Sequence, residues 1–403
     1  MTPGPGRGGG FDVLLMTNAV APDKVGGLER YVRELAAALV RSGVRTAVVA
    51  KRVRPESPDV EVGADGVEVI RHDVPDKASR SFALQYPWRT WRSLRSILGA
   101  NPDAVLHGHF PLPMLPLLAP SASRPFLYTF HAPVHQELLS ERQGTYLLPE
   151  LIQRPVVGML RRLEAAVVSR ASRVTVLSEF MRAQVSALAP RAGDEARVIP
   201  GGVDTDWFTP GESTADSADG PLLFTARRLT PRTGVTELVA AMVAVIAQHP
   251  RARLAIAGDG HMRDRVEADI EALGLQRNVQ LLGFVSEAEL RDWYRRAALT
   301  VMPTTELEGF GLTTAESLLC GTPVLVTPVG ANPELVAGMD GRFVAPSAGH
   351  DGIAQGILAL LDNAETLPTA RRALPGPRSQ VWSWHAIAER HLELYETQLS
   401  ARR

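Results

Sequence analysis

The residues best suited to chemistry lie in the segment Glu308-Gly309-Phe310-Gly311-Leu312-Thr313-Thr314-Ala315-Glu316. Two carboxylates stand eight positions apart, the first in a glycine-bearing loop and the second about one turn inside an expected helix. Carboxylates accept hydrogen bonds from sugar diols. The free N–H groups of a helix start, and loop amides beside Gly309 and Gly311, suit anionic oxygens. The pattern predicts a site for a polyhydroxylated ligand. A second reading stays open, because Thr313-x-x-Glu316 is also a capping box that would close the helix start. A second constellation is Ala226-Arg227-Arg228-Leu229-Thr230-Pro231-Arg232-Thr233-Gly234, three arginines in one short loop between an expected strand and helix. Guanidinium groups match phosphate oxygens as a fork, so this loop predicts a diphosphate clamp. Gly26 and Gly27 open another helix that can direct its positive end at a phosphate, although paired glycines also make plain turns. His131 follows an expected strand and is a candidate substrate contact. His107 and His109 share one face of a strand, a spacing also used by metal hydrolases. Further ligands at other strand ends would be needed, and the other histidines, His72 among them, fall in expected loops or helices. No metal is expected.

These residues must be positioned by alternating strands and helices. Apolar runs predict strands over residues 11–17, 46–50, 104–109, 126–130 and 174–177, and again over 222–225, 254–257, 279–282, 298–302 and 324–326. Between the first two, Leu28, Val32, Leu35 and Leu39 mark a helix that Gly43 ends. Strand, Gly-Gly loop, helix, strand is a βαβ unit, whose ligands bind at the carboxyl ends of strands. The fold class is therefore α/β. At 403 residues the chain exceeds one comfortable core, and two domains are expected. The expected organisation is a Gly/Pro-rich disordered tail over 1–10, an N-terminal domain over 11–208 and a Pro/Gly/Ser/Asp-rich linker over 209–221. A C-terminal domain over 222–380 and a last helix over 381–403 follow. The tail's Gly4-x-Gly6-x-x-Gly9 copies the dinucleotide fingerprint but precedes the first strand instead of following it.

The near-neutral formal charge of −1 gives no argument for nucleic acid as a partner. A single cysteine, Cys320, excludes an internal disulfide and fits a reducing compartment, with buried packing as its expected role. Without a long apolar run or a secretory pattern, the expected location is cytoplasmic. Trp88, Trp91, Arg89, Arg92 and Arg95 cluster at helical spacing beside Leu94, Ile97 and Leu98. That surface suits peripheral contact with the anionic inner face of a membrane, and equally an ordinary surface helix.

Taken together, the motifs resemble those of the GT-B glycosyltransferases, in particular the retaining family 4 group. The resemblance rests on Gly26-Gly27-Leu28-Glu29-Arg30, Gly201-Gly202-Val203-Asp204, Arg228-Leu229, Gly258-Asp259-Gly260, Gly283-Phe284-Val285, and Glu308-Gly309-Phe310-Gly311 with Glu316. It implies two Rossmann-like domains with a cleft between them and a C-terminal helix, here 384–399, crossing back to the first domain. It also implies a hexose transferred from a UDP- or GDP-sugar to a hydroxyl of a saccharide or lipid-linked acceptor, with retention and without a cofactor or divalent metal. Carried over by motif, Arg228 holds the diphosphate, Glu316 the ribose, and the backbone at Val285 the base. Glu308 and the amides of Phe310 to Leu312 hold the donor sugar, Gly26 and Gly27 approach the phosphates, and His131 reaches the transferred sugar. The family usually places a lysine where this chain has Thr233, which cannot supply positive charge. Arg232 is the candidate substitute, and a side chain pointing away would leave a weakly active or non-catalytic protein. A GT-B-shaped nucleotide-sugar epimerase and a non-catalytic sugar-nucleotide binder are the competing readings.

Overall fold

A computed structural model describes residues 10–24, 26–74, 82–119, 124–136, 150–211, 220–374 and 377–400. The glycine fingerprint of the tail and most of the expected linker lie outside them. The chain divides into two compact units, one comprising Met1–His135, Arg154–Gly202 and Trp384–Arg403, the other Gln136–Gln153 and Val203–Ser383.

The first unit is built on β1 (Val13–Met16), α1 (Gly27–Arg41), β2 (Thr46–Lys51), β3 (Val60–Val62), β4 (Glu68–His72), α2 (Phe82–Ala100), β5 (Val105–Gly108), β6 (Phe126–Phe130), β7 (Arg173–Val176) and β8 (Arg197–Val198). Its sheet runs β3-β4-β2-β1-β5-β6-β7-β8, parallel except for the β3/β4 pair. β1 is paired along both edges, Val13 with Thr46 and with Val105, so it lies in the interior of the sheet. Its four residues are accordingly all apolar and all buried. Each fully buried leucine, such as Leu14 or Leu15, contributes about 1.5–3 kcal/mol. α1 turns Val32, Leu35 and Leu39 onto the sheet and ends at Gly43, whose φ of 81° is left-handed.

The second unit contains β9 (Leu222–Ala226), α3 (Val235–Gln248), β10 (Arg253–Ala257), β11 (Val279–Gly283), β12 (Leu299–Met302), α4 (Leu312–Leu319) and β13 (Val324–Val326). Its five strands are parallel in the order β11-β10-β9-β12-β13. The last helix, α5 (Trp384–Ser400), belongs to the first unit, where it packs on α1 and β5. Its Trp384 ring covers Gly202, where any Cβ would collide with the indole.

Most strands form where apolar runs predict them. β3, β4 and β8 were not expected from the sequence, and His72 corrects the assignment of that residue to a loop or helix, since it ends β4. The reason is physical. β4 buries Arg71 as well as Val69, and Arg71 is met by Asp23 at 2.7 Å and Glu61 at 2.7 Å, so its strand is polar in composition yet interior.

Candidate active site

In each sheet the chain order reverses beside the central strand, and open α/β sheets bind ligands at that reversal, beyond the carboxyl ends of the strands. In the second unit the reversal lies between β9 and β12, and the loops leaving those two strands carry Arg228, Arg232 and Glu308. The β9 loop is folded by Thr233, whose hydroxyl lies 2.7 Å from the carbonyl oxygens of both Arg228 and Thr230. Its side chain is buried, and Gly234 then turns with a φ of 70° into α3. A Cβ on Gly234 would run into the Pro303 carbonyl, so β12 can pass this close only to a glycine.

Hydrogen bonds stitch the two loops together. The Arg232 carbonyl accepts from the amides of Thr305 at 3.0 Å and Glu306 at 3.3 Å, and Arg232 Nη1 donates to the Leu307 carbonyl at 2.9 Å. Arg232 is therefore turned toward the carboxylate-bearing loop. Leu307 has a left-handed φ of 41°, a conformation costing about 1–3 kcal/mol that survives only where neighbours hold it. The next residue, Glu308, accepts from Arg227 Nη2 at 2.8 Å, and the same nitrogen donates to Thr304 Oγ1 at 3.1 Å. The Arg227 side chain is 9% exposed and its Nε is buried without a partner, whereas Arg228 stands exposed beside it. Three arginines were legible in the sequence, but this pairing was not. Its one signal was that Arg227 is the first residue after β9.

α4 begins at Leu312 with Gly311 as N-cap at a φ of 96°, so the capping box of Thr313 and Glu316 is not formed. Thr313 sits in the first turn with its hydroxyl near the Met302 sulfur, 3.8 Å away. The helix start leaves its first amides without partners inside the helix, beside Gly309 and the buried Phe310. Glu316 is buried and accepts from the Tyr294 hydroxyl at 3.2 Å, a partner that no local pattern revealed. Val285 is half-buried after β11, next to Phe284, which is 83% exposed. Cys320 is interior, and burial pushes its thiol up to about 12.

In the first unit the reversal flanks β1. Gly26 caps α1 beyond β1, His109 follows β5 and His131 follows β6, so all three lie at the carboxyl edge of one sheet. His109 Nδ1 lies 3.0 Å from His131 Nε2, and the Tyr31 ring stands edge-on to His131 at 4.8 Å. The Tyr31 hydroxyl is 3.1 Å from His391 Nε2. His107 is held by the Tyr395 hydroxyl and by Thr129 Oγ1, both at 2.7 Å. Burial lowers all four imidazoles, His131 and His391 to about 3, so each is neutral at pH 7. His107 and His109 thus hydrogen-bond within the protein. Among the described residues no three His, Cys, Asp or Glu side chains are grouped to hold a metal ion.

α2 carries Trp88 and Trp91 at 56% and 37% exposed, with Arg92 over the first indole at 5.6 Å and Arg95 over the second at 5.0 Å. Leu94 faces inward. No helix among the described residues is long and apolar enough to cross a membrane.

Two doubly wound α/β units, with the last helix returned to the first, have the GT-B architecture. Residues 25–207 match the family described as Glycosyltransferase Family 4, and residues 212–373 that described as Glycosyl transferases group 1. The chain belongs to this glycosyltransferase family. It is 28% identical over 385 residues to a phosphatidyl-myo-inositol mannosyltransferase of Mycolicibacterium smegmatis, covering 93% of this chain and 91% of that one. It is 29% identical over 404 residues to a D-inositol 3-phosphate glycosyltransferase of Kineococcus radiotolerans, covering 92% and 90%. Among solved structures, sucrose-phosphate synthase from Thermosynechococcus elongatus superposes with a TM-score of 0.78 at 24% identity, covering 96% and 99%. Anabaena HepE in complex with UDP-glucose gives 0.68 at 20%, covering 96% and 100%.

Proposed function

We propose that this glycosyltransferase moves a hexose from a UDP- or GDP-sugar to an acceptor hydroxyl with retention of configuration and without a divalent metal. The observation that carries the reading is the stitching of the arginine loop to the Glu308 loop at the switch point of the second sheet. In the reaction the anomeric C–O bond breaks and negative charge develops on the departing diphosphate. Arg228 and Arg232, with the amides at the start of α4, supply preorganised positive potential there, and one such donor is worth on the order of 3 kcal/mol. Glu308, fixed by Arg227, orients sugar hydroxyls, and Glu316 binds the ribose. The backbone at Val285 holds the base, while Gly26 and Gly27 are assigned to the phosphates and His131 to the transferred sugar. A phosphate oxygen takes the acceptor's proton as the acceptor attacks the face that the diphosphate leaves.

The names of the relatives support an inositol-type polyol, free or lipid-linked, as the first acceptor class to try, beside saccharides. HepE's complex with UDP-glucose supports a nucleotide-sugar donor. The setting is cytoplasmic, with the Trp88, Trp91 and Arg92 face of α2 resting on anionic lipid. Co-sedimentation with anionic vesicles should fall in Trp88→Ala/Trp91→Ala/Arg92→Ala, and equal pelleting would remove the membrane part of the proposal.

The principal test is a thermal-shift panel of nucleoside diphosphates and nucleotide sugars, with and without EDTA, since a ligand of the folded state raises its melting temperature. Selective stabilisation by one nucleotide sugar, unchanged by EDTA, is expected, followed by acceptor-dependent release of its diphosphate. Binding without release in the presence of inositol, inositol phosphate or saccharide acceptors would overturn the transferase reading in favour of a binding protein.

A further inference from the structure

His109 is buried, with Nδ1 3.0 Å from His131 Nε2 and with its own Nε2 buried and without a partner. A neutral imidazole carries one N–H donor and one bare acceptor nitrogen. Two arrangements satisfy the bond between the rings. If His131 Nε2–H donates to His109 Nδ1, then His109 carries its proton on Nε2, a buried N–H with nothing to accept it. If His109 Nδ1–H donates to His131 Nε2, the partnerless atom is a bare lone pair. An orphaned buried donor is the rarer and costlier of the two faults, so the lack of a hydrogen-bond partner at His109 Nε2 selects the second arrangement.

We propose that His109 is a positioning residue that locks His131 in the tautomer protonated on Nδ1, so that His131 meets the donor sugar as a hydrogen-bond donor through Nδ1. The inference rests on the reading of His131 as a contact to the transferred sugar. With Nε2 engaged by His109, Nδ1 is the nitrogen left for a ligand. An N–H there requires an oxygen lone pair on the sugar and discriminates against a donor lacking that oxygen. Tyr31, edge-on to His131 and bonded to His391, fixes the plane of the ring in which the tautomer is held. Imidazole side chains in water favour the proton on Nε2, so the opposite tautomer requires a partner such as His109 Nδ1–H.

The tautomers are read from long-range 1H–15N spectra of ligand-free protein carrying 15N-histidine at pH 7, with His131→Gln and His109→Leu assigning the two rings. Both Nδ1 atoms should appear as N–H and both Nε2 atoms as bare nitrogens; a proton on His131 Nε2 overturns the proposal. In His109→Leu, which fills the space without a donor, His131 should revert to the Nε2–H form. The kcat for diphosphate release from UDP-glucose or GDP-mannose, whichever the wild type turns over, should fall about tenfold with little change in KM. His109→Asn, whose amide N–H stands near the position of Nδ1–H, should keep the His131 tautomer and recover most of the rate. An unchanged kcat in the leucine variant, or an equal loss in both variants, overturns the positioning role. If the wild type turns over no nucleotide sugar, the transferase reading is what fails, and the spectra still decide the bond between His109 and His131.

Discussion

Arg227 and Arg228 are neighbours with opposite surroundings, and substituting each should give a different signature. Arg228 is exposed at the strand exit, so Arg228→Ala should leave the melting temperature within a few degrees while lowering turnover by about 10²–10³. Turnover close to wild type would remove Arg228 from the clamp. Arg227 is interior, and Arg227→Ala strands the Glu308 carboxylate, 16% exposed, beside a space it cannot fill. Breaking such a pair costs about 3 kcal/mol, so denaturant unfolding and turnover should both suffer, with Arg227→Lys intermediate. Unchanged unfolding in Arg227→Ala would show the pair to be incidental. The sequence made the clustering of arginines at a strand end legible, because residue type and position suffice for that. It did not make their division of labour legible, since identical side chains one position apart are sorted only by which of them Glu308 and Thr304 meet from 77 or more residues away. Glu316 shows the same limit. Its position in a helix start was readable, its burial under Tyr294 was not.

Among the elements, those whose interior is apolar were readable and those whose interior is polar were not. β1 and β13 are continuous apolar runs, and β6 is interrupted only by Thr129, because the residues of these parallel strands are buried. β4 carries Glu68, Arg71 and His72, and only the tertiary partners Asp23 and Glu61 make Arg71 tolerable inside. The glycines at strand ends were readable, but the loop crossings that require them were not. Gly258 has a φ of 124°, and a Cβ there would strike the Arg227 carbonyl, because the loops leaving β9 and β10 touch at that point. Gly258→Ala should therefore destabilise the second unit by about 3 kcal/mol and, by moving Arg227, lower turnover more than the stability loss alone implies. An alanine variant with wild-type unfolding and turnover would show that the crossing is slack.

At the scale of the whole molecule, the histidines whose protonation burial opposes lie on one side of the division. His72, His107, His109, His131 and His391 belong to the first unit, where burial keeps them neutral, while His249, His261 and His350 of the second unit lie at or near its surface. In the unfolded chain an imidazole titrates near 6.5, whereas His131 and His391 titrate near 3 in the fold. Between those values the unfolded chain binds more protons, so their contribution to stability is complete above about pH 6.5 and declines as pH falls toward 3. Each such histidine removes up to about 1.4 kcal/mol per pH unit in that window. The first unit should accordingly lose stability on acidification well before the second. Hydrogen exchange followed by segment, corrected for the intrinsic pH dependence, should show protection at pH 5 falling in β1, β5, β6 and α5 while β9, β10 and β12 hold. Equal loss in both units, or none in α5, would mean that the histidines reach solvent before they protonate. Replacing His391 with phenylalanine, which keeps the volume and removes the proton site, should flatten the acid limb and sacrifice only the bond to Tyr31.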